Sequence, residues 1–245
     1  MNNILNLSPF ERFEFAFIFI PSNAHLALLN KLATLIDYEI ENLKQLHTPT
    51  INEYYHNHVV NFPHLSVGQY GLMGIEIDPL IHIVEQVSNN IPAFQLEMLP
   101  ELSFLDNYVF FDAQDCYKNV DPIFKNTFLR FRDQFFKNIQ TKFPIKQAYL
   151  HKQKNSDSIL ELDLIDQFYQ NWMIPEHNRM RPHFTLQYFP VFNKNLIELK
   201  LGHNPKIQNL LKKLQNIFID KIGFIEIDTF GNPTTKNPHY WINLH

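Results

Sequence analysis

Two short segments carry residue types that could do acid–base chemistry together: Pro63-His64-Leu65-Ser66-Val67 and Pro182-His183-Phe184-Thr185-Leu186. Each reads Pro-His-apolar-hydroxyl-apolar at the start of a strand-like stretch. Side chains alternate across a strand. His64 and Ser66 are therefore expected on one face while Leu65 and Val67 turn to a core, and His183 and Thr185 divide from Phe184 and Leu186 in the same way. An imidazole is near-optimal as an acid or a base around neutral pH. A hydroxyl can donate to phosphate oxygens where charge develops. One neutral and one protonated histidine beside two hydroxyls could open a phosphate ester without a metal. Arg181 lies two residues before His183, so in an extended chain it shares that face and could pair with a phosphate. Alternation also puts Tyr70 and Gln187 on the two catalytic faces as possible substrate contacts. Nothing in the spacing says which histidine is the acid and which the base.

Either motif alone is a weak signal. The chain has 12 histidines, and a His-x-Ser/Thr triplet flanked by apolar residues is expected roughly 0.16 times by chance. Two such matches are on the order of a one-in-a-hundred event, and no other His-x-Ser/Thr triplet occurs in the chain. Other histidines make poorer sites. His56 and His58 could suggest a metal pair, but no further ligand is anchored by sequence, so no metal is expected. Tyr240 and Trp241 could stack on a base, although hairpin packing explains them more simply.

With Arg181 ahead of the second motif, the pair makes the chain resemble the 2H phosphoesterase superfamily, named for two His-x-Thr/Ser motifs, and in particular its bacterial 2′-5′ RNA ligase or 2′,3′-cyclic phosphodiesterase branch. The order of elements agrees: a strand ending in proline, a long helix, the first motif, and a final hairpin after the second. Ser66 stands where threonine is commoner. From about 140 to 178 the likeness fades and the chain looks longer than a minimal member. The resemblance implies an α+β fold in which two mostly antiparallel sheets surround a central cleft, with helices outside. It also implies one bilobal domain over 1–245, an insertion around 140–178, and no cofactor. His64 and His183 would be catalytic, with Ser66, Thr185 and Arg181 on the substrate phosphate. The implied substrate is an RNA end, a nucleotide or a short oligonucleotide. The alternatives are a nucleotide- or RNA-end-binding module with little turnover, and a phosphodiesterase for 2′-5′ oligonucleotides or cyclic dinucleotides. A monomer is expected.

Composition narrows the rest. With 245 residues, 45% hydrophobic and 19% charged, the chain can bury a sizeable core. Its 6 glycines leave little room for backbone-built phosphate loops, and neither the P-loop nor the dinucleotide glycine pattern occurs. A net charge of -4 argues against coating long nucleic acids. One cysteine, Cys116, excludes an internal disulfide. The run Phe15 to Ile20 is far too short to span a bilayer, and Met1-Asn-Asn-Ile4 lacks a basic leader, so a cytoplasmic protein with no membrane partner is expected.

The elements that must position the motifs follow from periodicity. Strands are expected over Phe13–Ile20, His64–Tyr70, Phe94–Met98, Tyr108–Asp112 and His183–Phe189. Helices are expected over Ala24–Leu46, capped by Ser22 or Asn23, and over Asp78–Asn90, Asp121–Ile139, Ile159–Trp172 and Lys206–Phe218. Lys221–Phe230 and Tyr240–Leu244 should close the chain as a hairpin. No βαβ rhythm is present, which favours an antiparallel α+β arrangement.

Overall fold

The structure, a computed structural model, describes residues 12–47, 62–73, 77–89, 91–105, 108–113, 148–150, 182–188, 194–227 and 233–245. The helices expected over Asp121–Ile139 and Ile159–Trp172, and also Arg181, His56 and His58, lie outside them.

The first strand, β1 (Arg12–Pro21), shows how the sequence builds the sheet. Phe15, Phe17 and Phe19 alternate with Ala16, Ile18 and Ile20, and all six are almost wholly buried. A strand apolar on both faces belongs in the middle of a sheet, and β1 lies between β2 (Leu65–Met73) and β8 (Asn216–Glu226). The phenylalanine face joins the main core with α1 (Asn23–His47), whose Leu29, Leu32, Ala33, Ile36, Ile40 and Leu43 form its inner stripe. Phe15 meets Phe17 and Phe224 edge to face at 5.3 and 6.3 Å, which accounts for part of the chain's high phenylalanine content. The other face carries a smaller cluster of Ala16, Ile18, Ile20, Phe62, Ile225 and Ile227.

The remaining described elements are α2 (Asp78–Ser88), β3 (Phe94–Glu97), β4 (Ser103–Leu105), β5 (Tyr108–Asp112), β6 (Ala148–Leu150), β7 (His183–Tyr188), α3 (Lys194–Gly202), α4 (Pro205–Lys213) and β9 (Tyr240–Asn243). The nine described strands pair antiparallel in the order β3-β8-β1-β2-β7-β5-β4, with β6 added to β2 and β9 to β8. The protein is thus α+β with an antiparallel, unclosed sheet. The two expected sheets correspond to β3-β8-β1-β2 and β7-β5-β4, and they join at the single registered pair Leu65↔Phe184. Among the described residues no helix is long and apolar enough to cross a membrane.

Two expected boundaries shift. The helix read over Lys206–Phe218 stops at Lys213, and β8 begins at Asn216. Asn204 caps that helix, its side chain accepting from the amides of Lys206 and Ile207 at 2.9 and 3.3 Å, with Pro205 at its first turn. Ile217 and Phe218 fit a strand as well as a helical stripe, and pairing with β3 decides for the strand. Ser22 sits at the N-cap of α1, its carbonyl accepting from Leu26 at 2.8 Å. In the hairpin, Gly223 is required: a Cβ there would lie 2.9 Å from Trp241 Cα.

Leu65 and Phe184 are both fully buried where the half-sheets meet. Phe184→Ala is expected to cost about 3–5 kcal/mol in urea unfolding, whereas truncating the half-exposed Phe218 costs about 1 kcal/mol or less. A Phe184→Ala loss as small as that of Phe218→Ala would show that the junction is not a packed core.

Candidate active site

In antiparallel strands, residues one step either side of a facing pair also face one another. Around Leu65↔Phe184 this sets His64 opposite Thr185 and Ser66 opposite His183. Leu65 and Phe184 take the helix-covered face, so the four motif residues share the other. The imidazoles stand on a diagonal of this quartet, where neighbours are about 7–8 Å apart and their Cβ atoms somewhat closer.

The neighbouring strands repeat the arrangement. Beside the first motif, Ile18, registers with Ser66 and Phe19 with Leu65. Beside the second, Phe110 registers with Thr185 and Phe111 with Phe184. Each motif strand then carries one extra residue just past its hydroxyl: the register jumps between Phe17 and Ile18 on β1, and between Val109 and Phe110 on β5. The two halves are related by a local two-fold axis through the Leu65–Phe184 pair, down to matching bulges.

The second bulge corrects one expectation. An inserted residue reverses the parity of alternation. Gln187 therefore registers with Val109, on the core side, instead of continuing the row of Thr185, while the side chain of Tyr70 lies outside the described residues. Gln187 is buried and donates through Nε2 to Asp37 Oδ1 on α1. Strict alternation could not register an extra residue that carries no signature of its own.

His64 is 7% exposed. Its Nδ1 lies 2.7 Å from the Phe62 carbonyl and its Nε2 lies 3.1 Å from Ser66 Oγ. A carbonyl can only accept, so Nδ1 carries the proton and donates it, leaving Nε2 with its lone pair toward the Ser66 hydroxyl. Phe62 stacks on the imidazole at 6.3 Å. Burial first, opposed by the Phe62 carbonyl and aided by the charge of His183, lowers the His64 pKa from its ordinary 6.5 to about 4. His64 is thus held neutral with a basic nitrogen on the motif face. His183 is partly exposed and packs edge to face against Phe110 at 4.6 Å.

The two aromatic candidates in the hairpin separate. Tyr240 donates its hydroxyl to Glu85 Oε1 on α2 at 3.0 Å and packs near Phe224; burial first, then Glu85, raise its pKa to about 12. Trp241 is 48% exposed, with Lys221 Nζ 5.8 Å from its ring centroid. Through Gly223 and Ile18 it falls in the row of Ser66, three strands and about 14 Å away. The buried cluster of Ile18, Ile20 and Phe62 lies between them.

Sequence reading missed Phe62 and Asp112. Phe62 acts through its carbonyl, which any residue possesses. Asp112 read as the end of a strand, and only the β5–β7 register places it opposite His183.

No known protein family and no curated protein matches the chain. Among solved structures it is similar to Escherichia coli LigT complexed with 3′-AMP, at 12% identity over 96% of this chain and 99% of that one, with a TM-score of 0.43. LigT complexed with ATP gives 9%, the same coverages and 0.40. Kluyveromyces marxianus Usb1 gives 10% over 95% and 96%, with 0.36.

The buried neutral imidazole has a measurable signature. Unfolded, His64 takes up a proton as pH falls through 6.5, whereas folded it does so only near 4. Its contribution to stability is present above pH 6.5 and is lost as pH falls to about 4, a change on the order of 3 kcal/mol. Histidine-resolved NMR titration should place the His64 midpoint near 4, and urea unfolding should show a shallower decline between pH 7 and 4 in His64→Phe. A His64 midpoint near 6.5 would contradict the buried tautomer.

Proposed function

We propose that this protein is a metal-independent phosphoesterase that hydrolyses a 2′,3′-cyclic phosphate or a related RNA-type phosphodiester, as a member of the 2H phosphoesterase superfamily. The observation that supports the reading is the Leu65↔Phe184 pair between the two His-x-Ser/Thr motifs, from which alternation puts both imidazoles and both hydroxyls on one face. Two neighbouring histidines suit a displacement at phosphorus that must lose one proton and gain another.

In this reading His64 is the base and His183 the acid. Substrate draws the Ser66 hydroxyl toward a phosphate oxygen, which frees the His64 Nε2 lone pair. Water attacks phosphorus as that nitrogen takes its proton. The new O–P bond forms, a bond from phosphorus to one ribose oxygen breaks, and that oxygen takes a proton from the His183 imidazolium. The product is a ribose monophosphate ester with a free neighbouring hydroxyl. Ser66 and Thr185 donate to the non-bridging oxygens, where charge builds in the transition state, and Arg181 adds a cation near the second motif. The assignment of His64 as base rests on its Phe62 bond and its burial.

Purified chain incubated with nucleoside 2′,3′-cyclic phosphates in EDTA is expected to yield the monophosphate, with a bell-shaped pH profile. His64→Ala and His183→Ala should each lower kcat by about 10²–10⁴. Full activity in both variants would overturn the proposal. Loss of wild-type turnover in EDTA would replace it with a metal-dependent reaction. Tight binding of nucleotides by the wild type without turnover would favour an end-binding module.

A further inference from the structure

The two motifs are alike in sequence and related by the local two-fold axis, yet an acid–base pair needs its histidines in opposite protonation states. The difference must come from outside the motifs, and the flanking strands supply it at one pair of equivalent positions. Phe19 and Phe111 correspond, each beside the buried apolar residue of its motif. Ile18 and Phe110 correspond, each apolar and each beside the motif hydroxyl. One step further the equivalence breaks. Extending the β1–β2 register one step past Phe19↔Leu65 sets Ile20, 3% exposed, beside His64, whereas the residue registered with His183 is Asp112, 2% exposed.

We propose that Asp112 is the positioning residue that holds His183 protonated and oriented as the acid, so that the Ile20/Asp112 difference sets the direction of proton flow through an otherwise symmetric site. This inference rests on the two-histidine reading above. Directly facing residues in an antiparallel pair have Cβ atoms about 4.5–5.5 Å apart, within reach of a carboxylate for an imidazole. A carboxylate at that distance favours the charged imidazolium, whereas an isoleucine beside a buried imidazole offers the charge nothing. Among the described residues, the titratable groups near His183 on the strands packed beside it are Asp112 on β5 and His64 just ahead of β2. His64 stays neutral in this scheme, so the carboxylate dominates. The burial of Asp112 strengthens its effect by excluding screening water.

Asp112→Asn keeps the shape and removes the charge, and Asp112→Glu restores the charge. In the full chain with labelled histidines, the His183 midpoint is expected above 6.5 and is expected to fall by about one unit or more in Asp112→Asn. The alkaline limb of the pH–rate profile, where the acid loses its proton, should move down with it. At pH 8 kcat should drop about tenfold while KM changes less than roughly twofold. Asp112→Glu should return the limb toward the natural position. An unmoved limb and midpoint in Asp112→Asn would overturn the proposal. Should that variant fail to fold, the natural chain decides alone, because a His183 midpoint at or below 6.5 overturns it equally. If the natural chain opens no cyclic phosphate, the phosphoesterase reading falls, and the His183 titration still reports whether Asp112 charges it.

Discussion

Everything described here hangs on one facing pair of side chains. Leu65 and Phe184 join two half-sheets and pack into the helix-covered core. Because a strand alternates, burying these two forces their four neighbours out onto the opposite face. Hydrophobic burial thereby becomes an instrument of chemistry: the core decides where two imidazoles and two hydroxyls must point. The phenylalanines of β1 and β5 support the same junction from either side, Phe19 beside Leu65 and Phe111 beside Phe184.

The site's chemistry and its stability pull on the same residue. His64 is held neutral because it is enclosed and because the Phe62 carbonyl takes its one proton. Water around it would ease its charging. The motif hydroxyls are cheaper to place, since a serine can donate to a ring nitrogen at rest and to a ligand later.

The sequence made the paired motifs legible because their chemistry is written in residue type and spacing. It also made β1, α1, α2 and the closing hairpin legible, because each repeats an apolar period over many residues. Short elements escaped it. β4 and β6 have 3 residues each, too few to show a period. α3 buries only Ile197 and Leu201, so its pattern is faint. The bulges behind Ser66 and Thr185 escaped because one additional strand residue looks like any other, and the second carried Gln187 away from the row that alternation assigned it. Asp112 escaped for a deeper reason. Its relation to His183 exists only through the pairing of β5 with β7, a contact between segments more than 70 positions apart.

The matching bulges and registers around the Leu65–Phe184 axis have a bearing on reversibility. An in-line displacement at phosphorus is itself nearly two-fold symmetric: entering and leaving oxygens occupy opposite apices, and the two non-bridging oxygens lie between them. A site whose halves exchange under the same operation presents equivalent groups to both apices. In the proposed reaction such a site could follow the path in either direction, with the ribose hydroxyl and water exchanging the roles of entering and leaving group at opposite apices. Hydrolysis and ring closure then become two readings of one geometry, told apart only by what sits at the less symmetric edge of the sheet.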